Sequence, residues 1–512
     1  MAHAAAPKPQ PPVGIFLTDQ NLKHALSGQR GLNFTSKKPA GPLITVNPRV
    51  RYQTMLGFGA ALTDSSASLL WNGTTPSARG KLLQDLVTLR GLNLNFIRTP
   101  IGASDFTVGG RMYSYDDMPA KQTDPKLAHF SIKHDQAYII PELKAMLGMN
   151  KGIDMFASMW SPPGWMKAND SMNDVNRRGT LLPRYYGTLA AYFVRYVQAY
   201  RAAGVPIWGL APENEPGHSV AYPSMELKPN AEAALIQDMG ADFSAAKLNT
   251  RIYGGEMGSY PSYFPFLEKD GSASVMSGDA WHCYGGPSPI NDFAIKNPSI
   301  QNIMTECSPG ATPDTTPESV IDSLRNRVST VDLWNIAEDP HNGPVNSRGC
   351  LECTPLITVP PKKGKPQLTP SYFQLGQFSR YIQRGAQQVS ATRLVKDWRT
   401  TNAKQSHYGV TTGIDDVAFQ NPDGTLVLVA YNNSKKARRF SVGWQGKYFS
   451  YTLAPGSTVT FRWNGTTGPS VSRCLNSSVN YQPATQTAPG KAPHASPNGS
   501  RAPLTRAVQS CR

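Results

Sequence analysis

Two acidic residues carry the strongest chemical signal in the chain. The segment Ile207-Trp-Gly-Leu-Ala-Pro-Glu213-Asn214-Glu215-Pro216 closes one short apolar run, and Ile303-Met-Thr-Glu306-Cys307 closes another. Glu215 and Glu306 are 91 residues apart, about three βα units of roughly 30 residues each. Ending strands four and seven of a barrel, they would face one another across its mouth. Paired carboxylates across a cleft suit glycoside hydrolysis, one as acid/base and the other as nucleophile or base; a gap of about 5 Å gives retention and a wider one inversion. Aromatic residues follow the same strand ends: Trp160, Trp165, Tyr222, Trp281, Tyr284 and Trp334. Their flat rings can stack on a pyranose while carboxylate and amide groups bind its hydroxyls. Each has a plainer reading. A Trp at a strand end is often core packing, foremost Trp208 and Trp281, a lone Glu there is often a surface or salt-bridge residue, and His282 alone would be a hydrogen-bonded structural histidine. No Ser-His-Asp order or His cluster competes, and Gly109-Gly110 and Gly285-Gly286 lack a P-loop or dinucleotide pattern and read as turns.

The elements that must position these residues form three rhythms. Short apolar runs end in polar residues at Met55 to Ala61, Asn95 to Ile101, Asp154 to Trp160, Val205 to Leu210, Arg251 to Gly255, Asp279 to Tyr284, Ser299 to Thr305 and Val331 to Ile336. Amphipathic segments lie between them, such as 185–200 with Leu189, Tyr192, Phe193, Tyr196 and Val197 at helical spacing. Eight alternating units predict an α/β fold, a (β/α)8 barrel over 53–380, with its active site at the C-terminal ends of the strands. After Phe378 come short β-rich runs and turn signals such as Asn421-Pro-Asp-Gly424, predicting an antiparallel β-sandwich over 381–464 that N-terminal strands in 31–52 would join. Residues 1–30 are expected to be a loose Pro/Ala-rich leader. Residues 465–512, without Phe or Trp and rich in Ser, Pro, Ala and Thr, read as a low-complexity tail.

With 39% hydrophobic and 17% charged residues, the 512-residue chain is too apolar for disorder, and it has no run of about 18 apolar residues that would predict a spanning helix. Its formal charge of +16 suggests an anionic partner, but Arg473, Lys491, Arg501, Arg506 and Arg512 place five of those charges in a tail that has no acidic residue. That tail is expected to touch anionic surfaces rather than to bind nucleic acid, since it lacks interleaved aromatics. Ala2-His3-Ala4 fits the small-x-small pattern left near a signal-peptidase cut, which points to a mature secreted protein with an added Met1; a Pro/Ala-rich cytosolic extension is the alternative. Six cysteines fit secretion weakly. Cys350-Leu-Glu-Cys353 has no second pair nearby, so a loop disulfide or two thiols is preferred to zinc, and the pairing of Cys283, Cys307, Cys474 and Cys511 stays open. No metal or organic cofactor is implied.

Six ordered segments resemble glycoside hydrolase family 30, which includes glucosylceramidases and endo-β-1,6-glucanases. They are Gly57-Phe-Gly-Ala-Ala-Leu-Thr-Asp64-Ser, Phe96-Ile-Arg98-Thr-Pro-Ile-Gly-Ala-Ser-Asp105-Phe, Ala157-Ser-Met-Trp160-Ser-Pro-Pro-Gly-Trp165-Met-Lys167, Glu213-Asn214-Glu215-Pro216, Thr305-Glu306-Cys307 and Trp334-Asn335-Ile-Ala. Phe373-Gln-Leu-Gly-Gln-Phe-Ser-Arg-Tyr381 resembles the segment where that family's barrel returns to its side sandwich. The resemblance spans about Tyr52 to Trp463. It implies a retaining double displacement with Glu215 as acid/base and Glu306 as nucleophile. It further implies that Asn214 bonds the sugar 2-hydroxyl, that Asp105, Trp160 and Trp334 hold the non-reducing glucose, and that Arg98, His282 and Tyr284 orient the two carboxylates. Tyr222 is an expected substrate contact. Glu215 would have to be protonated and Glu306 ionised, so their surroundings are expected to drive the two ionisations apart. Departures are Gly59-Ala60-Ala61 in place of Gly-Gly-Ala beside the first strand and, on the leaving-group side, the short Gly-His-Ser-Val-Ala-Tyr222 after Pro216 and the two-cysteine loop in 342–353. The expected substrate is a β-glucoside, oligosaccharide or glycolipid, glucosylceramidase-like first, with endo-β-1,6-glucanase or a xylosidic or galactosidic β-glycanase as the alternative. From another class, an inactive carbohydrate- or cell-wall-binding barrel is disfavoured because a lectin needs neither glutamate.

Overall fold

The computed structural model describes residues 12–465 apart from 259–262, 265–266, 268–270, 285–287, 312–314, 347, 363 and 402–405. The expected tail, with Cys474 and Cys511, lies outside the described residues from 466 onward, as do residues 1–11.

Eight parallel strands close into a barrel: Gly57–Ala61, Phe96–Ile101, Asp154–Met159, Gly209–Ala211, Arg251–Met257, Gly278–His282, Gln301–Glu306 and Thr330–Leu333. All eight apolar runs read from the sequence contribute a strand. The fourth is shorter than expected and starts later, because Pro206 has no N–H to give a neighbouring strand. In the first strand Gly59 is sterically required, since a Cβ there would stand 1.7 Å from the Phe96 carbonyl oxygen. Phe96, Phe156, Ala211, Tyr253, Ala280 and Ile303 form a buried cluster, with Trp208 packed against it. The helices begin on sequence signals. Thr63, Thr75 and Thr369 each accept a hydrogen bond from a first-turn N–H, and the last two are followed by Pro at the first helical position. Helix Tyr186–Ala202 buries Leu189, Tyr192, Phe193, Tyr196 and Val197, the face its periodicity predicts. No helix among the described residues is long and apolar enough to cross a membrane.

The second layer system is a β-sandwich. Its strands run in the order Ser27–Leu32, Val13–Thr18, Thr458–Asn464, Thr425–Asn432, Ile414–Gln420, Gln387–Ala391, Leu43–Thr54, Arg438–Trp444 and Lys447–Leu453. The 12-residue strand Leu43–Thr54 bridges the two layers, pairing with Gln387–Ala391 through its later residues and with Arg438–Trp444 through Leu43 to Thr45. One expectation is corrected here. Residues 13–18 and 27–32 are not leader but strands, and Val13–Thr18 pairs antiparallel with Thr458–Asn464. The physical reason is that Val13 and Ile15 bury completely in the sandwich core, offsetting the entropy of ordering the segment. Helix Pro370–Ser379 joins the two parts. Gln374 Oε1 accepts from Thr458 Oγ1 at 2.6 Å, the Gln377 carbonyl accepts from Thr460 Oγ1 at 2.7 Å, and Phe378 meets Phe58 of the first barrel strand.

Candidate active site

The C-terminal ends of the barrel strands converge on one fully buried cation. Arg98, from the second strand, donates through Nε to Glu256 Oε1 at 2.8 Å and through Nη1 to Glu306 Oε2 at 2.5 Å. Its Nη2 donates to Ser158 Oγ at 3.1 Å and to Asn214 Oδ1 at 2.6 Å. Burial alone would weaken the guanidinium charge, but the charges of Glu256 and Glu306 more than restore it. Tyr284 donates its hydroxyl to Glu306 Oε1 at 2.9 Å, so both oxygens of this carboxylate accept from fixed donors.

Glu215 follows the fourth strand in a left-handed backbone conformation (φ 51°), and its N–H donates to the Glu256 carbonyl at 3.0 Å. Its Oε1 lies 3.1 Å from His282 Nδ1 and its Oε2 lies 2.6 Å from His218 Nδ1. Oxygens of Glu215 and Glu306 lie within 4.8 Å of each other, with His282 between them. One expectation is reversed. Burial pushes the Glu215 carboxyl up, but hydrogen bonds and charge from His218 and His282 outweigh it and hold the group well below the ordinary glutamate value. His282 loses some basicity to burial, yet Glu306 and Glu215 raise its pKa to about 9.

A second wall faces these carboxylates. Trp160, after the third strand, and Trp334, after the eighth, lie 5.3 Å apart between ring centroids, and the Arg98 guanidinium stands 4.7 Å from the first ring. Phe106 and Cys353 complete this cluster, with Tyr222 and Cys350 packed against it. Asp105 joins through the backbone, its Oδ2 accepting from Cys350 N–H at 3.2 Å and its carbonyl from Asn346 N–H at 2.7 Å. Burial lifts the Asp105 carboxyl to about 7 even against that N–H. Arg98, Asp105, Trp160, Asn214, Glu215, Tyr222, His282, Tyr284, Glu306 and Trp334 therefore all meet at one mouth. Trp281 does not reach it: this ring is fully buried, stacked 3.8 Å from Phe264, with Nε1 donating to Asn302. Trp165 is likewise core, its Nε1 donating to the Asp116 carbonyl.

Three contributors were not anticipated. Glu256 lies near the end of the fifth strand, one residue beyond the run read from the sequence, at a bulge with φ 85° at Gly255 and 43° at Glu256. The polar residue closing an apolar run was the available signal. Ser158 donates to Glu256 Oε2 from inside the third strand, and His218 lies in the short loop after Pro216. Four of the six cysteines pair within the described residues. Cys350 pairs with Cys353 and Cys283 with Cys307, the latter bond joining the residues that follow His282 and Glu306. By loop length, this cross-link across 24 residues is worth roughly 3 kcal/mol. A Cys283→Ser/Cys307→Ser variant should lose about 2 to 4 kcal/mol of stability in urea titration. Among the described residues, two groups have the donor types and spacing of metal ligands. Asp116, Asp124 and His129 form one, in which His129 Nδ1 already bonds Asp124 Oδ2 at 2.8 Å; Glu215, His282 and Glu306 form the other.

A parallel eight-stranded barrel with a side sandwich, and two carboxylates within 5 Å at its C-terminal face, defines a glycoside hydrolase. The chain belongs to glycosyl hydrolase family 30: the family's TIM-barrel domain matches residues 55–286 and its β-sandwich domain residues 400–461. It is 32% identical over 418 residues to the endo-1,6-β-D-glucanase of Neurospora crassa, covering 79% of this chain and 83% of that protein. The lysosomal acid glucosylceramidase of Mus musculus is 26% identical, covering 83% of this chain and 84% of that one. Among solved structures, the endo-β1,6-glucanase BT3312 superposes with a TM-score of 0.76 at 26% identity, covering 90% of this chain and all of that one.

Proposed function

We propose that this enzyme hydrolyses β-1,6-linked glucan by a retaining double displacement, with Glu306 as nucleophile and Glu215 as acid/base. The observation that carries the reading is the approach of the two carboxylates to within 4.8 Å, the separation at which one of them can attack the anomeric carbon directly. The sugar stacks on the Trp160 and Trp334 wall with Asp105 bonding its hydroxyls. Arg98 and Tyr284 hold the Glu306 oxygens in line for attack on C1 as Glu215 protonates the departing oxygen. Water activated by the Glu215 carboxylate then releases the sugar. Arg98 fixes the Asn214 amide through its oxygen, leaving the amide nitrogen to serve the 2-hydroxyl, a contact that strengthens as the oxocarbenium character grows.

A β-glucan is preferred to glucosylceramide as substrate on two grounds. The glucanase relatives are closer, at 31 to 32% identity against 24 to 26% for the glucosylceramidases. A cleft of ≈ 530 Å³ lies beside the acid/base loop, lined by Asn176, Arg177, Ser219 and Arg348 together with Val175, Val220 and Ala221. The Asn, Arg and Ser groups in this mixed lining can hydrogen-bond the hydroxyls of a further sugar, which acyl chains lack. Two disulfides fit an oxidising compartment, supporting a secreted enzyme. A panel of β-1,6-glucan, gentio-oligosaccharides, glucosylceramide, xylan and aryl glycosides, with the product anomer read by NMR, tests the reading. Retention with β-1,6-glucan preferred is the expected result; inversion, or turnover of xylan or glucosylceramide alone, would overturn it.

Removal of the acid should discriminate between leaving groups. In Glu215→Ala, kcat/KM for alkyl β-glucosides is expected to fall about 10² to 10⁴-fold, while that for dinitrophenyl glucoside falls far less, because a good leaving group needs little protonation. Rate measurements across a leaving-group series check this, and equal losses along the series would remove Glu215 from the acid role.

A further inference from the structure

We propose that His218 is the proton-sharing partner of Glu215: its imidazole holds the acid/base carboxylate between turnovers and supplies the proton that Glu215 passes to the departing glycosidic oxygen. The inference rests on the acid/base role proposed above for Glu215. It starts from a conflict in the site, since a carboxylate that receives a ring hydrogen bond on each oxygen is held ionised, the state that cannot act as an acid. The proton therefore comes from a neighbour, and two rings are within reach.

His282 is poorly suited to give one up. It is fully buried, and besides Glu215 it faces Glu306 at 3.6 Å and Glu256 at 3.9 Å, three carboxylates that favour its charge. His218 is different in each respect. Its side chain is 50% exposed, and Glu215 is its one ion-pair partner among the described residues. It stands directly before Ser219, Val220 and Ala221, which line the cleft beside the acid/base loop.

The turn is built to deliver this contact. Glu215 at φ 51° and Gly217 at φ 83° reverse the chain, and His218 N–H donates to the Glu215 carbonyl at 2.9 Å, which brings the ring back onto Oε2. The other groups around His218 are the Tyr222 ring at 6.3 Å, Glu306 and Asp105 acting through their charge, and the Arg177–Glu226 ion pair, whose Glu226 lies beside Gly217. The bond to Glu215, against some burial, raises the His218 pKa above that of a free imidazole.

The proton balance closes over the cycle. As the bond from C1 to Glu306 forms, the bond from C1 to the glycosidic oxygen breaks; that oxygen takes the Glu215 proton, which Glu215 has received from His218 Nδ1. In the second half, Glu215 removes a proton from water as the water oxygen bonds C1 and the bond from C1 to Glu306 breaks, and the proton returns to His218.

The test is kcat/KM against pH for His218→Asn and the wild type, with methyl and 2,4-dinitrophenyl β-glucoside. The amide still donates to Glu215 and so favours its ionised form, but it cannot carry the proton. For the methyl glucoside, the basic limb should therefore move to lower pH by about one unit, a roughly tenfold loss near neutrality. The dinitrophenyl glucoside should change by less than about threefold, which also reports an intact fold and nucleophile. Coincident basic limbs, or equal losses on the two substrates, would overturn the role of His218. Failure of the wild type to cleave β-1,6-glucan would instead overturn the function proposed above.

Discussion

Glu306→Gln should lose at least about 10⁴-fold in turnover of every β-glucoside, activated or not. The amide matches the carboxylate in size, so Tyr284 can still donate to the side-chain oxygen, and the barrel should fold. What disappears is the nucleophile. Without an anionic oxygen at C1, neither half of the double displacement can proceed, and unlike the loss of Glu215 this cannot be rescued by a better leaving group. The substitution also turns an amide N–H₂ or a weaker acceptor toward Arg98 Nη1, which stands 2.5 Å from Oε2 in the native site. A fluorinated glucosyl fluoride incubated with the wild type should label one peptide, the one containing Glu306, with a single sugar detectable by mass spectrometry. Near-normal turnover by the variant, or a label on another acidic residue, would reassign the nucleophile. The contrast with Glu215→Ala separates the two roles: one profile is flat across leaving groups and the other steep.

The sequence made this contrast visible because barrel architecture couples chain position to chemistry. A parallel strand buried on both faces reads as an apolar run, and the first polar residue after it must stand at the active face. Glu306, Trp160 and Trp334 were legible at such strand ends, whereas the site role of His282 came from the family resemblance. Glu256 escaped by one residue, since two glycines before it blurred the end of the run and a bulge carries the side chain into the site. His218 escaped because its position depends on the left-handed conformation of Glu215, which no periodicity records. Trp281 shares the strand-end pattern of Trp160 and yet points into the barrel wall, where Phe264 and Phe293 cover it; alternation along a strand fixes the face, and the sequence left the register free by one. The strand Val13–Thr18 was hidden differently. Its alternating burial was present, but the proline- and alanine-rich residues before it dominated the composition of the segment. The pairing of Cys283 with Cys307 needed the adjacency of the sixth and seventh strands.

Arg98 is the position where stability and activity should fail together. Arg98→Met is expected to cost roughly 3 to 5 kcal/mol, because removing one member of a buried ionic group leaves the others uncompensated. Here the stranded groups are Glu256 and Glu306, with Asp332 also sensing the lost charge. Arg98→Lys tests the geometry apart from the charge. An ammonium restores one positive charge but cannot reproduce the planar fork that reaches Glu256, Glu306, Ser158 and Asn214 at once. The lysine variant should therefore recover much of the urea midpoint lost by the methionine variant, while kcat/KM stays at least about 10²-fold below the wild type. Urea titrations and rates on dinitrophenyl glucoside, measured side by side, check both halves. If lysine restored the rate along with the midpoint, charge alone would suffice, and the four hydrogen bonds that converge on this guanidinium would have no part in holding the nucleophile in line.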